Sequence, residues 1–168
     1  MTEQKAYWFV AKTRHGAELG VRNRLTQLGV ESFVPTRVRR SSRGSAMVEE
    51  PVLTSFVFLR ATKLEALNLI HLYGVNASLM NDCATHQLMF VADKCMEDFR
   101  RVLDASIEEG GLMDKPLSVG ERVRVTKGAL KGVEGYVLEL QGRIYVVVGL
   151  LNCLFARARV PRAWLEKV

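Results

Sequence analysis

Residues 119–140 read VGERVRVTKGALKGVEGYVLEL, and the fold of the C-terminal part of the chain turns on them. Val123 and Val125 alternate with Arg122 and Arg124, the two-residue period of a strand with one buried face. Gly128, Gly132 and Gly135 then fall within eight residues. Glycine serves where the chain needs positive φ or where backbones approach closely. Tyr136, Val137, Leu138 and Leu140 resume an apolar run, so a strand, a glycine-punctuated loop and a second strand are expected. Gln141-Gly142 is a candidate two-residue turn into a strand over 143–148. Residues 156–160, with Arg157 and Arg159 alternating, read as a further strand, and Trp164-Leu165 as a last strand or short turn. On the residues alone, this hairpin suits any small β-barrel, and one of about 50 residues is within the range that folds.

The whole chain sets the frame. Its 168 residues suit one compact domain or two small ones, and its 48% hydrophobic and 25% charged content is that of an ordinary globular protein. No apolar run approaches the roughly 20 residues that cross a bilayer. The opening MTEQKAYWFV lacks the long apolar core of a signal peptide, so a cytoplasmic protein with no membrane role is expected. Cys83, Cys95 and Cys153 are widely spaced, as are His15, His71 and His86. That pattern suggests neither a metal site nor a disulfide framework, and no cofactor is expected. No nucleophile–base constellation, phosphate loop or paired carboxylate stands out, so no enzyme is expected. The net charge of +6 favours an anionic partner, nucleic acid being the common one.

Upstream, YWFVAK at residues 7–12 has strand propensity. Ala17, Val21, Leu25 and Leu28 recur at helical spacing, and Gly29 stands where a helix C-terminal glycine would. Residues 32–35 suggest a strand ended by Pro35. Residues 36–45, TRVRRSSRGS, place Arg37, Arg39, Arg40 and Arg43 among small polar residues, as in an exposed loop or hairpin tip. Such a loop is either a solvated charged segment or an arm whose guanidinium forks contact phosphates. Residues 50–60 read as a strand with Phe56 and Phe58 on one face and Val57 and Leu59 on the other. A helix over 64–72 and two short strands at 77–80 and 87–91 follow. A further helix, capped by Asp93, buries Met96, Phe99, Leu103 and Ile107. Gly110, Gly111 and Pro116 mark a linker. The expected architecture is α+β: a βαββ(β)αββα domain over 1–109, a linker over 110–118 and a barrel over 119–168.

Several stretches together resemble the NusG family of transcription elongation factors across nearly the whole chain. Gly128, Lys131, Gly132, Glu134, Gly135 and Val137 resemble its KOW motif, which opens an SH3-like barrel. Trp8-Phe9-Val10 is similar to the aromatic opening of the family's N-terminal (NGN) domain, with Gly16 and Glu18 at the family's spacing. Val34-Pro35-Thr36, Glu50-Pro51 and Phe56-Val57-Phe58-Leu59 match further stretches. Leu53-Thr54-Ser55 departs from the family's Phe-Pro-Gly, which puts the local turn geometry in question. Glu50-Pro51, the compact loop and Leu151-Asn152 are more similar to the operon-restricted paralogues (the RfaH branch and regulators of capsular polysaccharide operons) than to the housekeeping factor.

The resemblance implies a non-catalytic, monomeric elongation and antitermination factor that binds RNA polymerase and suppresses pausing. By position, Trp8, Leu53, Phe56 and Phe58 are the polymerase-binding candidates, although each also suits an ordinary core. Arg14, His15 and Arg22 match the corner that reads non-template DNA in specialised members. Arg37, Arg39, Arg40 and Arg43 are further nucleic-acid candidates, toward non-template DNA or nascent RNA. The barrel would recruit a ribosomal protein or a termination factor. The alternative is a ribosome-associated or RNA-binding KOW protein with no polymerase role.

Overall fold

The computed structural model describes residues 4–105, 112–113, 120–150 and 154–168. Ile107, Val119, Leu151, Asn152 and Cys153 lie outside these, as does the expected linker apart from Leu112 and Met113. The chain forms two compact units, Met1–Ala92 and Asp93–Val168. Among the described residues, no helix is long and apolar enough to cross a membrane.

The first unit runs β1 (Tyr7–Lys12), α1 (Glu18–Gln27), β2 (Glu31–Phe33), β3 (Thr36–Arg40), β4 (Met47–Pro51), β5 (Phe56–Ala61), α2 (Lys63–His71), β6 (Ser78–Leu79) and β7 (Phe90–Val91). Its main sheet is antiparallel in the order β2-β5-β1-β6, with β7 also pairing β1. Gly29 ends α1 at φ +74°, as its position predicts. α2 begins in a capping box: Thr62 accepts the Glu65 N–H, and the Glu65 carboxylate accepts the Thr62 N–H.

The period-two pattern sorts the sheet's faces. Phe9, Ala11, Val57, Leu59 and Ala61 form one core with Val21 and Leu25 of α1 and Ala66 and Leu69 of α2. The register pairs Val10 with Phe58, Lys12 with Phe56, and Phe33 with Phe58. Trp8, Val10, Phe33, Phe56 and Phe58 therefore share the opposite face. The Phe33 and Phe58 rings lie 6.2 Å apart.

Two stretches differ in part from their sequence reading. Residues 36–45, read as an exposed loop or hairpin tip, are a hairpin's first strand over 36–40, paired with β4 in a separate two-stranded ribbon, and part of its tip. A backbone ladder and cross-strand arginine–glutamate pairs hold this ribbon, and local propensity does not reveal either. Residues 50–60, read as one strand, divide between β4 and β5. The Val52 N–H turns back to the Pro35 carbonyl (2.9 Å), and Ser55 adopts φ +71°.

The second unit comprises α3 (Asp93–Ala105), β8 (Leu112–Met113), β9 (Arg122–Val125), β10 (Glu134–Leu140), β11 (Arg143–Leu150), β12 (Leu154–Arg159) and β13 (Leu165–Lys167), with a 3-10 turn at Arg162–Trp164. The antiparallel order is β13-β9-β10-β11-β12-β8. Gln141 and Gly142 both have positive φ, as a tight hairpin turn of this twist requires. Met96, Phe99 and Val102 are the buried stripe of α3, and the expected Leu103 is half-buried beside it. This division differs from 1–109 and 119–168 in the place of α3, which packs along β11 and β12.

Polar bonds fasten α3 to the glycine loop of the barrel. Asp98, only 3% exposed, accepts two bonds from Lys94 Nζ (2.7 Å each) and one from the Glu134 N–H (3.2 Å). Lys94 also donates to the Gly132 carbonyl at 3.0 Å. Arg101 donates to the carbonyls of Ala129 (2.9 Å) and Lys131 (2.8 Å).

Candidate functional site

Arg14 and His15 stand exposed in the loop after β1. Below them, the buried Glu18 carboxylate, 1% exposed, accepts the Ser55 N–H at 2.7 Å. Burial acts against its ionisation. The N–H groups of Ser55, Glu18 itself and Gly16, with nearby His15, outweigh that and hold its pKa below the usual carboxylate value. The Thr13 N–H donates to the Ser55 carbonyl (2.9 Å), and the Thr13 hydroxyl to the Asn76 carbonyl (3.0 Å), so the corner is pinned on two sides.

Beside Arg14 opens a cavity of about 430 Å³, lined among others by Lys12, Asn76, Ser78, Ile70 and Val75. It joins the cations Lys12 and Arg14 with hydrogen-bonding groups and an apolar surface, which suits a phosphate better than a stacked base. The sequence reading missed Lys12, Asn76 and Ser78. Lys12 was the findable one, since it stands two residues before Arg14.

The other predicted cations fall into two groups. Arg22 on α1 makes a two-pronged bond to Glu49 of the ribbon (2.6 and 2.9 Å), and the Thr36 hydroxyl donates to the same carboxylate (2.8 Å). Arg37 and Arg39 both bind Glu50. These three arginines have carboxylate partners, which lower their availability to phosphate. Arg40 and Arg43, at the ribbon's tip, are exposed, and among the described residues no carboxylate pairs with them.

The hydrogen bonds from Arg22 and then Thr36 lower the Glu49 pKa from 4.5 to about 2. A depressed acid stabilises the fold above its unfolded pKa, and that contribution fades as pH falls toward the folded value. Thermal melts of the wild type should therefore lose stability between about pH 4.5 and 2. Glu49→Gln should flatten that part of the profile. An unchanged profile in the variant would remove this pair from the account.

The four apolar candidates are not equally accessible. Trp8 is 4% exposed and Phe58 2%, whereas Leu53 and Phe56 are half-buried. At the departure from the family pattern, Ser55 takes the left-handed conformation that a glycine would favour. That costs a non-glycine residue about 1–2 kcal/mol. The Glu18 bond to its N–H offsets part of this, so the turn survives the substitution.

In the barrel, Gly128 and Gly132 have φ of +81° and +88°. Gly135 serves a different need, because a Cβ there would lie 2.3 Å from the Val147 carbonyl oxygen. Glu134 accepts from Arg122 and Arg124, Lys131 is exposed, and Val137 is half-buried. The six motif residues thus form one loop and the strand leaving it.

A family model described as transcription termination factor nusG matches residues 6–100, more than half of the chain. A solved structure describing domain interaction in Thermotoga maritima NusG is 19% identical, with 98% of each chain covered and a TM-score of 0.47. A comparison with curated protein sequences gave no significant match. An antiparallel α+β unit followed by a β-rich unit, with this family match, defines a transcription factor of the elongation type. The chain belongs to the NusG family.

Proposed function

We propose that this protein binds RNA polymerase through its first unit, suppresses pausing or termination, and reads non-template DNA at particular operons. The family match over residues 6–100 carries this reading, since it spans nearly all of that unit. The shape of the sheet supports it. Both helices of the unit pack against one face, and Leu53 and Phe56 are the more accessible of the four apolar candidates. Binding that favours one state of the polymerase needs only differential affinity, not covalent chemistry. Arg14 and His15, beside the cavity with Lys12 and Asn76, are the DNA-reading candidates, and the ribbon's Arg40 and Arg43 are a second contact. Operon-restricted action and recruitment of a ribosomal protein or termination factor by the barrel belong to the same proposal.

The test is capture of core RNA polymerase by the full chain. Leu53→Ala/Phe56→Ala, shown to be folded, should lose at least about tenfold in affinity, the effect of removing a two-residue apolar anchor. Arg14→Ala/His15→Ala should keep polymerase binding and lose affinity for single-stranded DNA. A wild type that captures no polymerase, even as an assembled elongation complex, would overturn the reading in favour of an RNA- or ribosome-binding KOW protein.

A further inference from the structure

The ribbon of β3 and β4 is a sheet of its own, separate from the main sheet of the first unit. A two-stranded ribbon by itself is marginally stable in water, so what holds it decides where it points. Its base is tied by the bond from the Val52 N–H to the Pro35 carbonyl. Its register pairs Thr36 with Pro51, Val38 with Glu49, and Arg40 with Met47, so these side chains share one face. Arg37, Arg39 and Glu50 lie on the other face, and their ion pairs stay within the ribbon.

Glu49 reaches out of it. Its carboxylate accepts both prongs of Arg22 from α1, and the Thr36 hydroxyl holds the same carboxylate from the ribbon side. The Arg22 and Glu49 side chains are 27% and 38% exposed, while those of Arg37 and Arg39 are 63% and 53% exposed. A two-pronged guanidinium–carboxylate bond fixes an angle as well as a distance. Farther out on the same face, Val38 and Met47 are each 62% exposed, so the ribbon overhangs beyond this tie. Arg40 sits beside Met47 in the overhang, and Arg43 at the tip. The helix that carries Arg22 begins just after the corner with Arg14 and His15.

We propose that Arg22 is a positioning residue and not a nucleic-acid contact: with Glu49 it latches the ribbon to α1, and so fixes Arg40 and Arg43 relative to Arg14 and His15. Its consequence for binding rests on the proposed reading of single-stranded DNA by these cations. Two groups of cations held at a set separation engage one strand without first ordering the ribbon, which is preorganisation. A latch and a direct phosphate contact predict opposite signs for one substitution. Glu49→Ala removes a negative charge and frees the Arg22 fork. A phosphate ligand masked by Glu49 would then bind DNA more tightly. A latch, once opened, binds it more weakly in spite of the added positive charge.

The experiment measures the affinity of the full chain for a short fluorescein-labelled single-stranded DNA by anisotropy. Glu49→Ala should weaken binding about fivefold, the upper end of what an exposed ion pair is worth. The charge swap Arg22→Glu/Glu49→Arg leaves the net charge unchanged and should regain most of the affinity, because the pair re-forms with its ends exchanged. A second readout needs no DNA. Nitroxide labels at Gln27→Cys on α1 and Ser42→Cys at the ribbon tip, with the native cysteines replaced by serine, report the helix-to-tip distance by pulsed electron paramagnetic resonance. Its distribution should broaden in Glu49→Ala and narrow again in the swap. Tighter DNA binding by Glu49→Ala would overturn the proposal, as would an unchanged distance distribution in that variant. If the distances respond as expected but the wild type binds no single-stranded DNA, the latch stands and the DNA reading falls.

Discussion

Gly135→Ala is expected to cost the barrel about 3 kcal/mol or more, at the upper end of overpacking effects. The added Cβ would lie 2.3 Å from the Val147 carbonyl oxygen, a backbone atom that no rotamer change can move. Relief requires β10 and β11 to separate, and these strands form the long central hairpin of the barrel. Gly132→Ala is the control. It has open space around the new Cβ but φ of +88°, so it should cost only the left-handed penalty of about 1–2 kcal/mol. Urea denaturation of both variants, with the dispersion of barrel amide signals as a check on folding, ranks the two. Equal losses would show that close approach is not what fixes glycine at position 135.

Asp98→Ala is expected to loosen α3 from the barrel loop at a cost of about 1–3 kcal/mol, as when a part-buried donor loses its acceptor. The substitution leaves the Glu134 N–H without its acceptor and Lys94 without its carboxylate. Asp98→Asn should cost less, because an amide oxygen still accepts from the Glu134 N–H, although the charge pairing is lost. Hydrogen exchange reads the effect locally: protection should fall along α3 and over the Ala129–Glu134 loop in Asp98→Ala. Unchanged protection of α3 would mean that Met96, Phe99 and Val102 hold the helix unaided.

These two expectations depend on different amounts of tertiary information. The glycine spacing marked the loop from the sequence, because positive φ at two positions and a crowded third all exclude a side chain. It did not distinguish those causes. Asp98 carries no sequence signal beyond Lys94 four residues earlier, a spacing that equally suits a solvated pair.

The candidate site shows the same division. Arg14 and His15 were named from the family resemblance, and the fold leaves both exposed after β1. Arg22, Arg37 and Arg39 were nucleic-acid candidates, and Glu49 and Glu50 of β4 engage all three. Asn76 and Ser78 come from a segment some 60 residues beyond Lys12, which only strand pairing brings alongside it. The ordering of Phe56 and Phe58 against Val57 and Leu59 was certain from period two, but which pair the helices would cover was not.

By itself, then, the sequence determined what local sterics and periodicity dictate: the strand and helix faces, the Gly29 helix end, the Gln141-Gly142 turn, the glycine loop and the family resemblance. The tertiary structure alone decided what depends on distant residues meeting. It set Ser55 in a left-handed turn held by Glu18, brought Ser78 beside Lys12, and attached α3 to β11 and β12. A pairing between segments far apart in the chain leaves no periodic trace in either one, so its energetic consequences become visible only when the chain is folded.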